Sequence, residues 1–169
     1  MKNLKVPGST TKLTTNPNRI ELDEAYMQMA EIWARRSKAN RSQVGCLIIK
    51  DSQIISDGYN GMPSGSDDDV CEYLVPQSAG WDARDEDIKY ELRTKPEVLH
   101  AESNALMKIS EHGGLGAHGA TLYTTLSPCF DCAKLIKQAK IKRVVFRKCY
   151  RDMSGVDLLR KLGVQVDQL

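Results

Sequence analysis

The stretch "TLYTTLSPCFDCAKLIKQAKIKRVVFRK", residues 121–148, constrains the fold more than any other. Two β-rich runs flank a helix-patterned segment, and strand, helix and strand at this spacing predict a parallel crossover with the helix packed on a sheet. The pattern repeats with "GVDLLRKLG" as helix and "VQVDQ" as a last, edge strand. Upstream, "QVGCLIIK" and "QIISDGYN" are divided only by Asp51 and Ser52, which predicts a tight antiparallel pair. Before them Leu22, Tyr26, Met29, Ala30 and Trp33 fall on one helical face, so a first helix runs from about Ile20 to near "RRSKANRS". In "HAESNALMKIS", Ala101, Ala105, Leu106 and Ile109 mark a second helix packed on the same sheet. The expectation is an α/β fold, with helices on both faces of a central mixed five-stranded sheet.

At 169 residues the chain most simply forms one domain. Residues 1–18, polar and carrying Pro7, Gly8 and Pro17, read as an arm; residues 19–169 read as a single domain with an insertion at about 61–96, longer than a connection normally needs. No apolar run approaches the roughly 20 residues that cross a bilayer, and the N-terminus has no signal-peptide stretch, so the expectation is a cytoplasmic protein without a membrane partner. With 24 basic and 22 acidic residues the net charge is +2, which gives no reason to expect an extended nucleic-acid footprint. Five cysteines without a secretory signal point to metal binding or plain burial instead of a disulfide framework. Burial is expected for Cys46, in an apolar strand, and for Cys149, at a strand end.

The chemistry concentrates around "SPCFDC" and "LHAES". Ser127 is placed to cap the helix that follows and Pro128 suits its first position, which puts Cys129 and Cys132 in the first turns. Three apart, they share a face that continues through Leu135, Ile136 and Ala139, and the helix N-terminus favours thiolate over thiol. His100, at the start of the second helix, is the expected third ligand. Three protein ligands and an open position are the arrangement of a catalytic Zn²⁺, which lowers the pKa of water to about 7. Glu102, two residues on, is placed as general acid and base without being a ligand. H-x-E followed by P-C-x-x-C is the known signature of zinc-dependent nucleobase deaminases, so the assignment matches a pattern and is not built from chemistry alone.

From about Tyr26 onward the chain resembles the deoxycytidylate (dCMP) deaminases of the cytidine deaminase superfamily, through "ARRSKANRSQVGCLIIK", "GYNGMPSGSDDD", "HAESNAL" and "TLYTTLSPCFDCAKLI". The resemblance implies a cytidine deaminase-like three-layer α/β/α sandwich and hydrolysis of dCMP to dUMP and ammonia, supplying dUMP for thymidylate synthesis. It implies that Glu102 moves protons from the attacking water to ring N3 and then to the departing amino group. Asn60 corresponds to the family's sugar-binding asparagine, backbone groups of Thr125 and Ser127 to base-edge partners, and Arg36 and the Tyr150–Arg151 pair to phosphate candidates. The same resemblance implies a homohexamer activated by dCTP and inhibited by dTTP, at a site including Lys38, Asn40, Arg41, Gly61, Gly65 and Asp67, with Mg²⁺ accompanying the triphosphate. Glu111 stands where some relatives carry basic residues, which weakens the regulatory expectation alone. Cys71 with His112 or His118 is a conceivable second zinc site. Two rival readings stand beside this one: a superfamily enzyme acting on a free nucleoside, on guanine or on an RNA base, and a non-catalytic zinc-stabilised binding domain with four protein ligands.

Overall fold

A computed structural model describes residues 16, 18–77, 88–111 and 116–169. In chain order its elements are α1 (Leu22–Ala34), β1 (Gly45–Lys50), β2 (Gln53–Tyr59), β3 (Glu72–Pro76), β4 (Tyr90–Thr94), α2 (Ala101–Glu111), β5 (Thr121–Leu126), α3 (Phe130–Gln138), β6 (Arg143–Lys148), α4 (Ser154–Lys161) and β7 (Gln165–Gln168). Five strands form the expected mixed sheet in the order β2-β1-β5-β6-β7. β1 is antiparallel to both β2 and β5, whereas β5, β6 and β7 run parallel through the α3 and α4 crossovers. Asp51 and Ser52 make the β1–β2 turn, both with positive φ (50° and 62°), the left-handed pair that a two-residue hairpin connection requires.

Alternation along the strands divides the core into two layers. Leu47, Ile49, Tyr123 and Val145 face α1, where they bury Tyr26, Met27 and Ala30. Cys46, Ile48, Leu122 and Val144 face the other way and pack with Ala101 and Ala105 of α2, Ala133 and Ile136 of α3, and Leu159 of α4. Fully burying such side chains contributes about 1.5–3 kcal/mol each, so both faces of the sheet are held firmly.

Three expectations are corrected here. The buried face of α1 is Tyr26, Met27, Ala30 and Ala34, while Leu22, Met29 and Trp33 are exposed. Close approach to β1 fixes the face that packs: a Cβ on Gly45 would overlap the Ala30 carbonyl, so α1 sits on the sheet along Ala30 and Ala34, with Tyr26 and Met27 buried against Leu47, Ile49, Tyr123 and Val145. Cys149 is exposed, its thiol directed at the Gln168 side chain (3.6 Å), because β6 has ended one residue earlier. Leu135 lies outside the buried α3 stripe of Cys132, Ala133 and Ile136.

The insertion contains a second, two-stranded antiparallel sheet, β3 with β4, that the sequence pattern did not announce. A small core of Ala39, Cys71 and Val98, with Met62 against it, ties its base to the loop after α1. Residues 78–87, and with them part of the expected insertion, lie outside the described residues, as do residues 1–15 of the arm. No helix among the described residues is long and apolar enough to cross a membrane.

Candidate metal centre and active site

Two helix starts meet at one end of the sheet. The first is that of α2, where Gly61 and Leu99 exchange backbone hydrogen bonds (3.1 and 2.9 Å) and so fix the residue that follows, His100. α2 then lies directly on β2: a Cβ at Gly58 would overlap the Ala101 carbonyl, and Ser56 Oγ and Asn104 Nδ2 donate to Ala105 and Tyr59 carbonyls across the same contact (2.6 and 2.8 Å). At the start of α3 the cap is Cys129 itself, whose sulfur accepts the Cys132 N–H at 3.5 Å. The expected cap, Ser127, serves elsewhere: its Oγ accepts the Tyr150 N–H (2.7 Å) and donates to Met153 Sδ (3.5 Å). The helix therefore begins two residues later than the Ser-Pro signal indicates, because the Cys129 sulfur takes the Cys132 N–H as its cap. Gly155 completes the arrangement, since a Cβ there would overlap the backbone of Pro128 and Cys129.

His100 Nδ1 lies 3.4 Å from the sulfurs of both Cys129 and Cys132, and the three donor atoms fall within 4.8 Å of one another. Tetrahedral zinc with Zn–S near 2.3 Å and Zn–N near 2.0 Å puts nitrogen and sulfur ligands roughly 3.5 Å apart, so the donor set fits that ion in spacing and in chemistry. Among the described residues no other such cluster exists. Cys71 is instead buried in the insertion's small core, its thiol directed at the Asp69 carbonyl; His118 is exposed and His112 lies outside the described residues.

The thiols are not equivalent. Hydrogen bonds from Cys132 and then from His100 hold the Cys129 pKa down to about 4, and that thiolate in turn raises His100. The Cys132 thiol is pushed up, first by its neighbour's sulfur and then by burial. Glu102 is 4% exposed, with Oε2 3.7 Å from the Cys132 sulfur. Burial raises its pKa above the ordinary 4.5, the condition for a carboxyl group that both accepts and returns protons near neutrality.

A cavity of about 190 Å³ opens onto this cluster, lined there by His100, Glu102 and Cys129. Of the expected substrate residues, Asn60, Ser127 and Tyr150 line it. Asn60 already uses its amide, accepting the Val44 N–H (2.8 Å) and donating to the Ser42 carbonyl (2.9 Å). Thr125 is not in the lining, its hydroxyl accepting the Gly45 N–H, and Arg36 is an exposed side chain away from it. Arg151 reaches the site only indirectly, 5.7 Å over the Tyr150 ring.

Of the residues expected at a regulatory site, Arg41 lines this cavity. Lys38 forms an exposed ion pair with Asp69; Asn40 is bound through its backbone and side chain to Glu72; Gly61 bridges Leu99; Gly65 (φ 85°) and Asp67 lie in the exposed turn beyond. Four residues escaped the sequence reading. Glycine inside a strand or helix pattern is a readable sign of close approach, so Gly58 and Gly155 carried a usable signal. Glu72 and Thr94, both lining the cavity, carried none, since their pairing across β3 and β4 depends on an unforeseen hairpin.

Residues 20–148 match the family model described as the cytidine and deoxycytidylate deaminase zinc-binding region. The human deoxycytidylate deaminase is 41% identical over 128 residues, 75% of this chain but 65% of that protein, so this chain spans just under two-thirds of that relative. The deoxycytidylate deaminase of mycobacterium phage D29 is 34% identical, with 78% of this chain covering 98% of its length. Among solved structures, the dCMP deaminase of cyanophage S-TIM5 in complex with dCMP and dUMP superposes with a TM-score of 0.74 at 35% identity, over 92% of this chain and 100% of that one. With His100, Glu102, Cys129 and Cys132 inside the matched region, this chain belongs to the cytidine and deoxycytidylate deaminase family.

Proposed function

We propose that the protein is a zinc-dependent hydrolase that deaminates dCMP to dUMP and ammonia. One observation carries the reading: a buried carboxyl group, Glu102, lines one cavity together with His100 and Cys129 of a three-residue His-Cys-Cys donor set. His100, Cys129 and Cys132 would hold the zinc, which supplies Lewis acidity and lowers the pKa of water to about 7. Glu102 takes one proton from the attacking water and delivers it to ring N3, then takes the second from the hydroxyl now on C4 and passes it to the amino group, which leaves as ammonia while C4 becomes a carbonyl. Its burial keeps bulk water from levelling those transfers. Asn60 shapes the wall through its bonds to Ser42 and Val44, and its second amide hydrogen faces the task of reading a sugar hydroxyl. Ser127, which lines the cavity at the end of β5, is the proposed base-edge partner through its carbonyl, its N–H being given to the Lys148 carbonyl (2.8 Å), and Thr125 remains a candidate from outside the lining.

A phosphate needs a cation in the same cavity. Arg41 lines it, whereas Arg36 and Arg151 do not, so Arg41 is the favoured phosphate partner, with Tyr150 and its stacked Arg151 at the rim. Arg36 remains a second candidate for a substrate-bound state. Regulation by dCTP and dTTP with Mg²⁺, assembly as a homohexamer and a cytoplasmic location belong to this reading as its finer parts, supported by family membership. Lys38, Asn40, Gly61, Gly65 and Asp67 are the residues proposed for the effector site.

The test is ammonia release from purified protein with dCMP, dCTP, deoxycytidine and cytidine side by side, with and without a chelator. Turnover of dCMP that collapses on chelation and returns with Zn²⁺ supports the reading. Preference for cytidine, or activity indifferent to metal removal, overturns it. Adding each triphosphate with Mg²⁺ at sub-saturating dCMP tests regulation separately.

A further inference from the structure

The inserted β3–β4 hairpin meets the catalytic cavity at a single rung, Glu72 opposite Thr94, and both residues line the cavity. Glu72 is 4% exposed, which is unusual for a carboxylate unless it is partnered. Its Oε1 accepts the backbone N–H groups of Asn40 (3.0 Å) and Arg41 (3.1 Å), and its Oε2 accepts the Asn40 side-chain amide (3.3 Å). Across the rung, Thr94 Oγ1 accepts from Arg41 Nη1 at 3.1 Å. One rung of the insertion thus grips Arg41 twice, by its backbone and by its guanidinium. A single donor of the five-donor fork goes to Thr94, so a bidentate face remains for an anion.

We propose that Glu72 is a positioning residue that sets Arg41 in the catalytic cavity and thereby confers preference for a phosphorylated substrate; the inference rests on the deaminase reading and deepens it. Burial makes the device stiff, because a carboxylate withdrawn from water holds its three N–H partners at nearly fixed geometry, and a loop that drifts by an ångström no longer matches a phosphate. The insertion is then part of the specificity apparatus and not a decoration on the surface.

The experiment compares wild type, Glu72→Ala and Glu72→Gln with dCMP and with deoxycytidine. In Glu72→Ala the KM for dCMP is expected to rise about tenfold, the size of one lost charge-assisted contact, with kcat falling by less than about threefold. Preference for dCMP over deoxycytidine falls by the same factor. Glu72→Gln keeps one acceptor oxygen for the two backbone N–H groups and is expected to recover part of the loss. An unchanged preference in Glu72→Ala, or equal losses on both substrates, overturns the proposal while leaving the deaminase reading intact; a wild type that does not turn over dCMP breaks the reading itself. Hydrogen exchange judges the grip without turnover. Amides 40 and 41 are expected to be protected in wild type and released in Glu72→Ala, and unaltered protection overturns the proposal whatever the activity.

Discussion

The two sides of the catalytic cavity are built differently. Its chemical side stands on the main sheet: His100 and Glu102 open α2, Cys129 and Cys132 open α3, and behind them lies a continuous core of Ala101, Ala105, Leu122, Ala133, Ile136 and Val144. Its proposed recognition side is shared by the loop after α1, which carries Arg41, and the insertion, which carries Glu72 and Thr94; Arg41 and Thr94 are exposed, the small core between them is Ala39, Cys71 and Val98 with Met62, and the Lys38–Asp69 and Lys95–Asp68 pairs face solvent. Exposed pairs of this kind contribute little to stability, so the β3–β4 ladder, the small core and the buried Glu72 carboxylate supply the order there. Apolar packing backs the helix starts that carry His100, Glu102, Cys129 and Cys132, whereas hydrogen bonds to Glu72 and Thr94 hold Arg41.

The sharpest way to break this contrast is to change the chemical side without touching its packing. Glu102→Gln is expected to lower dCMP turnover by about 10²–10⁴ while the bound zinc stays near one per chain, read by metal analysis beside the ammonia assay. Full-speed turnover by that variant would remove Glu102 from the mechanism. Gly155→Ala comes next, since the added Cβ must displace the backbone of Pro128 and Cys129. We expect an overpacking loss of about 1–3 kcal/mol in stability and roughly 10–100-fold weaker zinc retention against a chelator. An unaltered metal affinity would show that the α4 start does not support the ligand loop.

The smallest effect is a pH dependence confined to the recognition side. Burial alone would raise the Glu72 pKa, but hydrogen bonds from Arg41 and Asn40 outweigh it and hold it below the ordinary 4.5. A carboxyl group depressed in the folded state stabilises that state above its unfolded pKa and ceases to do so as pH falls through the lowered value. Protection of amides 40 and 41 is therefore expected to persist at pH 5 and above and to be lost below the ordinary carboxylate value, ahead of protection in β1 and β5. Simultaneous loss in all three segments would show that the insertion and the core do not differ in their hold.

Much of the main sheet was legible in the residues because periodicity and turn chemistry are local. Asp51–Ser52 sits where a two-residue turn was expected, and "TLYTTL" and "RVVFRK" became β5 and β6 around α3. The donor set was legible as well, since His-x-Glu and Pro-Cys-x-x-Cys are short-range patterns that a metal joins over distance. Side-chain facing was less legible: Leu22, Met29 and Trp33 look like a core stripe, yet all three are exposed, Trp33 turning its indole N–H to the Asp57 carboxylate of β2, because α1 meets the sheet along Ala30, where it approaches Gly45. Ser127 offered an ordinary cap that the Cys129 sulfur displaced.

By itself the sequence determined the strands and helices of the main sheet and the two motifs that carry the candidate donors His100, Cys129 and Cys132 with Glu102 beside them, because periodicity and short motifs are local patterns. Only the tertiary structure decided which cation enters the cavity. Arg36 and Arg41 are five residues apart and chemically alike, and what distinguishes them is Glu72 and Thr94, brought from 31 and 53 positions along the chain to grip one and not the other. Such a choice is made by contacts between distant segments, which no local pattern encodes.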